Sequence, residues 1–478
     1  MRRAALLLMF GCGSSGVFVD PVIDEPADGD AIASGLDTFE LSVAHAGSEQ
    51  DLASVSFAPG QDASLGDVPF ADDLVIHLSG LIGGSEVAYG RTCAFGISAR
   101  FVPQPHLLFA RVVKFAQLAL ITPPRFGGCA VTYHDGSAVV FGGTTDNVTT
   151  ANTTAAWFDP HTGEQLPLPD LMPRVGAVAA TLGTGSTARV AVIGGEAGGA
   201  GAGVVELIEA DNNRVDSILD TQLVMARIEL TATALTDGRI VVIGGRPPGP
   251  GPVAPSGAIA EITDDPTMPD IRELRTTTLA HPRAGHTATR LGDDVGATVL
   301  IAGGQDAMNK PIPGVELFKP LSEQLADPAQ FHHDMQVPRY GHTAVLMPDG
   351  SVLFIGGFDS FDLPTNILEL FSVDAGFFIV GELPQSAGLV DFAATTLPDG
   401  RILLTGGRPN PGAQAVNTAY IVRLNFNQTV DVVATDHLAV ARAGHQAVAL
   451  CDGTVLISGG TTVPLPAERY NPPPDGRR

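Results

Sequence analysis

Lysine is nearly missing from this chain. Three of its 478 residues are lysines (Lys114, Lys310, Lys319), so the 27 basic residues are almost all arginine, set against 52 Asp and Glu. The formal net charge of −25 argues against a nucleic-acid binder, because neutralising phosphates takes a basic surface. No acidic run carries that charge, and its even spread marks a solvated surface more than an interaction tail. Long apolar runs are missing too: nothing beyond the first residues approaches the ~18 uninterrupted apolar residues of a membrane-spanning helix. There is no GxSxG, no HExxH, no Walker loop and no Asp-box. The glycine-rich stretch at 198–203 lacks the Lys-Ser/Thr that phosphate chemistry requires. Cysteine is scarce, with four residues, and so are Trp (1) and Tyr (5).

Glycine (56) and proline (36) are plentiful instead, and 44% of residues are apolar. That mixture fits many short strands joined by turns and disfavours long helices. The length suits one large domain plus a smaller one.

The beginning of the chain reads as a processed segment. Arg2 and Arg3 precede an apolar run (residues 4–10), Gly11-Cys12 and a small, flexible stretch to Gly16. The order resembles a bacterial lipoprotein signal, in which the cysteine is lipidated. Residues 1–16 are therefore expected to be an anchor with Cys12 as the lipidation site, the alternative being a plain signal peptide with an incidental cysteine. Either way the protein is expected in the cell envelope, as an outer-membrane lipoprotein or secreted, touching the membrane only through that lipid. Lipidation of Cys12 leaves Cys93, Cys129 and Cys451, and an odd number permits at most one bridge within the chain.

Seven glycine pairs end apolar runs: Gly142-Gly143, Gly194-Gly195, Gly244-Gly245, Gly303-Gly304, Gly356-Gly357, Gly406-Gly407 and Gly459-Gly460, spaced by 52, 50, 59, 53, 50 and 53 residues. A turn, often Asp-Gly, precedes each run, and another apolar strand precedes each turn, as in RAGHTATRL, RYGHTAVLM and RAGHQAVAL. After each pair a loop of variable length leads to a third strand, as in VVELIE, GVELF and ILELF. This strand-turn-strand-GG-loop-strand unit resembles the Kelch repeat over about residues 123–470. The resemblance implies an all-β, seven-bladed Kelch-type β-propeller over residues 105–478, in which blades stack around an axis and leave only short edges. The last repeat runs out after its third strand. Residues 109–118 are expected to supply the missing fourth strand and close blade seven. Residues 36–101 alternate between strands and turns and are expected to form a small β-sandwich, with 17–35 as an acidic, Pro-containing linker. In the repeat frame Cys129 and Cys451 stand five positions apart, ~16 Å at ~3.3 Å per residue and too far to bridge. Cys93 is left to pair with one or the other.

Galactose-oxidase-like enzymes share the Kelch propeller, with copper held by His and Tyr. Their Tyr-His pair is interrupted here as Tyr340-Gly341-His342, and the other tyrosines fall at unrelated repeat positions. His286, His342 and His445 share one repeat position, which reads as structural. His332-His333-Asp334 reads as an inter-blade loop more than as a metal cluster. No catalytic residue, metal or cofactor is expected.

One constellation points to binding. Arg125, Arg174, Arg227, Arg283, Arg339 and Arg442 recur where the chain leads into six of the seven innermost strands; blade six has Leu389-Val390-Asp391-Phe392. Arg246 and Arg408 follow their glycine pairs onto the same face. A ligand site at Arg246, Arg408, Arg283, Arg339 and Arg442 would suit an anionic protein or glycan. The competing expectation is that the repeat arginines pair with carboxylates of neighbouring blades and hold the ring. The functional expectation is a monomeric, non-catalytic binding or scaffolding module. An oxidase-like or polysaccharide-acting enzyme with dispersed residues is the alternative.

Overall fold

The computed structural model describes residues 16–27, 32–48, 50–61, 64–122, 125–145, 150–198, 200–219, 227–249, 258–264, 271–326, 333–384, 389–461 and 463–472. Among them the protein is all-β, with two short 3-10 turns and no α-helix. Among the described residues no helix is long and apolar enough to cross a membrane. Cys12 and His332 lie outside the described residues.

From Cys129 onward the chain builds small antiparallel sheets in sequence order. The first comprises Cys129–Thr132, Ala138–Phe141, Ala155–Asp159 and Glu164–Leu168. Five more follow, beginning with the strands Val175–Leu182, Ile228–Ala234, Thr287–Arg290, Thr343–Leu346 and Ala393–Thr396. The seventh takes His445–Ala449, Val455–Gly459 and Leu465–Asn471 and finishes with Lys114–Thr122 from far upstream. The first strand of each sheet packs on that of the next, and the first strand of sheet seven packs on that of sheet one. Second strands such as Val299–Ala302 and Val352–Ile355 are buried along their whole length. They read as continuous apolar runs because both their faces are covered by adjacent sheets.

The glycine pairs make this contact possible. A Cβ on Gly303 would lie 2.5 Å from the Arg339 carbonyl oxygen of the next sheet, closer than any side chain permits. The N–H of Gly304 donates to that same carbonyl at 3.0 Å. The pattern recurs between Gly460 and Arg125 at 2.5 Å, joining sheet seven to sheet one.

The strand that completes sheet seven is Lys114–Thr122, not residues 109–118. It pairs antiparallel with Leu465–Asn471, Lys114 opposite Asn471 and Phe115 opposite Tyr470. The chain breaks direction at Val113, whose φ is +59°. Upstream of that break Ala110–Arg111 pairs with Ser85–Arg91, and Phe109 is buried in the N-terminal core.

The expected linker is also part of that N-terminal unit. Gly16–Val19 pairs with Leu65–Pro69, and Val22–Asp24 runs parallel to His106–Leu108. Val19 and Ile32 are buried beside Leu41, Val68, Ile76 and Leu107. These two-stranded pairs share one core with a six-stranded sheet ordered Ala110–Arg111, Ser85–Arg91, Ala71–Ile82, Thr38–His45, Asp51–Phe57, with Phe95–Ile97 on the Ala71–Ile82 strand. The prolines and acids of residues 17–35 concealed two short strands whose partners lie 46–84 positions away.

Cys93 pairs with Cys451, Cα to Cα 5.0 Å, tying the N-terminal unit to the first turn of sheet seven. Asn471 adds hydrogen bonds to the Tyr89 and Ala110 carbonyls, each 2.9 Å. Cys451 lies at the end of its sheet away from Gly459-Gly460, so the N-terminal unit is fastened opposite the glycine pairs. Cys129 stays free. Its thiol donates to the Ala177 carbonyl at 2.8 Å, and burial pushes its pKa up to about 12, so it is inert as a nucleophile at neutral pH.

Candidate functional site

Arg283, Arg339 and Arg442, expected at a ligand site, are fully buried, as are Arg125 and Arg174. Each guanidinium turns into its own sheet and donates to the carbonyl of the first glycine of the pair: Arg125 to Gly142, Arg174 to Gly194, Arg283 to Gly303, Arg339 to Gly356 and Arg442 to Gly459, all within 2.7–3.1 Å. Part-buried Arg227 does the same to Gly244. Four also meet a buried glutamate from the third strand of the same sheet: Arg174–Glu206 at 2.6 Å, Arg283–Glu316 at 2.8 Å, Arg339–Glu369 at 2.6 Å and Arg442–Glu468 at 3.1 Å. The second oxygen of each glutamate accepts a backbone N–H from the segment leading into the sheet, at Met172, Ala280, Gln336 and Ala439. Arg125 has the Thr154 hydroxyl instead, at 2.7 Å, and burial lowers its pKa to about 10. The five fully buried arginines are therefore internal cross-links with no surface for a ligand to contact. The carboxylate belongs to the same sheet and not to a neighbour. Its signal was in the sequence: a glutamate recurs inside VVELIE, GVELF, ILELF and PAERY.

The repeat histidines join successive sheets. Nε2 of His286 meets the Thr231 hydroxyl at 3.1 Å, that of His342 meets Thr287 at 3.0 Å, and that of His445 meets Thr405 at 2.7 Å. Burial, reinforced by the adjacent arginine, drives His286 and His445 down to about 3 and His342 well below its ordinary value. In the unfolded chain these imidazoles protonate below about pH 6.5, whereas in the folded chain His286 and His445 stay neutral almost to pH 3 and His342 stays neutral well below its ordinary range. Stability should therefore fall as pH drops through that window, by about 1.4 kcal/mol per pH unit for each fully shifted histidine. The expected result is a proton uptake on unfolding that approaches three by pH 5, read from calorimetry in buffers of different ionisation enthalpy. A melting temperature flat from pH 7 to pH 5 would contradict it.

Exposed chemistry lies two residues further along, at the mouth where the first strands begin. The residue two after each repeat arginine adopts a left-handed conformation: Gly127, Gly176, Gly285, Gly341 and Gly444 have φ of 60–68°. Two sheets break the glycine rule. Glu229 in sheet three and Asp391 in sheet six hold φ of 57° and 54°, at a cost on the order of 1–3 kcal/mol each. Backbone hydrogen bonds link this rim from sheet to sheet, with the N–H groups of Gly285, Gly341, Gly444 and Gly127 donating to the carbonyls of Glu229, Gly285, Asp391 and Gly444.

Both strained carboxylates are held by the arginine that follows the glycine pair of their own sheet. Arg246 binds Glu229 in bidentate fashion, Nε to Oε2 2.8 Å and Nη2 to Oε1 2.6 Å. Arg408 Nε lies 3.0 Å from Asp391 Oδ2, and its guanidinium sits 5.1 Å over the Phe126 ring. Burial raises the Asp391 pKa and Arg408 opposes that shift. The expected cationic mouth is thus neutralised pair by pair. Between the two pairs, Tyr340 stacks on Phe358 with centroids 5.2 Å apart, and the Tyr340 hydroxyl donates to Asp362 at 2.9 Å. Phe361 (82% exposed), Met308 (70%) and Leu363 (60%) stand on the loops after the neighbouring glycine pairs. Beneath the rim a cavity of 390 Å³ is lined by small residues of the first strands, including Ala130, Ala177, Ala232, Thr287 and Ala344.

No protein-family profile and no curated protein sequence matches this chain. Among solved structures, "Structure of YjhT" is similar over 66% of this chain and 98% of its own, at 14% identity and a TM-score of 0.47.

Proposed function

We propose that this protein is a non-catalytic binding module, a seven-bladed propeller of Kelch type that holds its ligand at the mouth formed by Glu229, Arg246, Asp391, Arg408 and the Tyr340–Phe358 stack. One observation carries the reading: in two sheets of seven, a carboxylate takes the left-handed position that glycine fills in the other five, and an arginine orients it. Strain of this kind persists where the surroundings over-determine it, and such places cluster at ligand clamps. The paired groups present donors and acceptors together, and the aromatic stack beside them offers a flat apolar platform. That combination suits an amide- or hydroxyl-rich ligand, an extended peptide or a glycan, more than a highly charged anion. Attachment of the N-terminal unit at the opposite end leaves the mouth open. Display on the bacterial envelope through lipidated Cys12 would turn it outward.

No described arrangement favours an oxidase-like reading. Tyr340 is committed to Asp362 and Phe358, and His342 to Thr287.

The test is a peptide and glycan array probed with the wild type and two double variants. Glu229→Gly/Asp391→Gly should keep or raise the melting temperature, because glycine relieves the backbone, yet weaken every specific hit. Arg246→Ala/Arg408→Ala should weaken the same hits by about 1–3 kcal/mol while changing stability by no more than about 1 kcal/mol. Salt dependence should be shallow, since each arginine already has its carboxylate. If both variants retain wild-type hits, the mouth is not the site and the N-terminal unit becomes the candidate.

A further inference from the structure

The hairpin between the third and fourth strands of sheet one, outside the mouth, carries an unusual neighbour for a disulfide. The ligand atoms of His161, Cys93 and Cys451 all lie within 4.8 Å of one another. Three separate parts of the fold supply them: the N-terminal unit, sheet seven and sheet one. His161 Nδ1 is bonded to Asp159 Oδ1 at 2.9 Å, leaving Nε2 as the ring nitrogen free to coordinate. Asp159 is itself fixed, accepting the His161 backbone N–H at 2.8 Å and the Thr162 hydroxyl at 2.9 Å. A carboxylate that fixes the tautomer and orientation of a histidine is the usual outer partner of a zinc-binding imidazole.

We propose that Cys93, Cys451 and His161 form a zinc site that takes over the cross-link when the Cys93–Cys451 disulfide is reduced. A dithiol reductant gives two electrons and two protons to the S–S bond, which breaks into two thiols as the reductant becomes its own disulfide. Zn²⁺ then binds both sulfurs as thiolates, with release of two protons to solvent, and takes His161 Nε2 as third ligand. Zn–S and Zn–N lengths of about 2.3 and 2.0–2.1 Å place ligand atoms about 3.5–3.8 Å apart. The reduced sulfurs reach that separation by side-chain rotation on Cα atoms 5.0 Å apart. The part-exposed His161 edge leaves the fourth position to water. The disulfide and the zinc would thus each fasten the N-terminal unit to sheet seven, the zinc adding sheet one through His161, and only the reduced, metal-free form would lack the link.

The experiment uses the full chain with Cys12→Ser and Cys129→Ala, so that the pair is the sole source of thiols. After reduction with a trialkylphosphine and its removal without air, the protein is titrated with Co²⁺ and then Zn²⁺. The expected result is one Co²⁺ per reduced chain with thiolate-to-cobalt charge-transfer absorption, displaced by Zn²⁺, and none for the oxidised chain. Zn²⁺ should also restore the melting temperature lost on reduction. Asp159→Asn should weaken metal affinity roughly 10–100-fold, and His161→Ala should weaken it further, while both variants in oxidised form melt as folded proteins. Absence of thiolate–cobalt absorption in the reduced chain overturns the proposal whatever the variants do. So does an affinity that His161→Ala leaves unchanged.

Discussion

Arg339→Ala is expected to lower stability by about 3–5 kcal/mol, the range for removing one partner of a buried ion pair. Arg339 and Glu369 are both completely buried, 2.6 Å apart. The guanidinium also serves the carbonyls of Gly356 and Ile367, at 3.1 and 2.9 Å. Alanine would leave a carboxylate in the interior with only the Gln336 and Val337 N–H groups as donors, and the carbonyls of Val337, Gly356 and Ile367 without their side-chain donor. The damage comes from the uncompensated charge more than from loss of attraction. Arg339→Met with Glu369→Leu should therefore be less destabilising than Arg339→Ala alone. Arg246→Ala, on the part-exposed pair with Glu229, should cost no more than about 1 kcal/mol. Urea denaturation of the four proteins reads the order directly. If Arg339→Ala unfolds at the same midpoint as Arg246→Ala, the buried arginines do not hold the sheets.

The second large effect concerns closure. Deleting residues 1–111 should leave the seven sheets folded, whereas deleting 1–122 should abolish cooperative melting or cause aggregation. Both truncations lose Cys93 and hence the disulfide, typically worth 2–5 kcal/mol, so the comparison between them isolates Lys114–Thr122. Without that strand, Leu465–Asn471 becomes an unpaired edge, a template for association with other chains. Tyr470, fully buried, also loses Phe115, which packs against it with centroids 4.9 Å apart. Equal melting temperatures for the two truncations would refute closure by this strand.

The repeat was legible because its determinants are local. A glycine pair after an apolar run, a turn before it and a spacing near 50 residues all fall within one unit, so periodicity alone marks out the seven strand groups and their order. The histidines at one repeat position were legible as structural for the same reason. The mouth was half legible. Arg246 and Arg408 could be placed on it by their offset from the glycine pairs, and the sixth repeat stood out by its missing arginine. The sequence does not say that Glu229 and Asp391 occupy a left-handed position, because φ becomes visible only when seven equivalent segments are set side by side in space.

What the sequence by itself determined, then, is the unit, its number and the all-β character, each encoded in residues a few positions apart. Tertiary structure alone decided which arginines are buried and which stay part-exposed at the mouth. Arg174, Arg283, Arg339 and Arg442 find their glutamates 26–33 residues away, two strands across the sheet, and that pairing turns a row of cations into interior cross-links. It also decided that Cys93 reaches Cys451 across 358 positions and that residues 16–24 belong to the N-terminal core. Contacts of that separation depend on how the sheets stack and where the chain breaks direction. Neither is written in the local alternation of apolar and polar residues that reveals a strand.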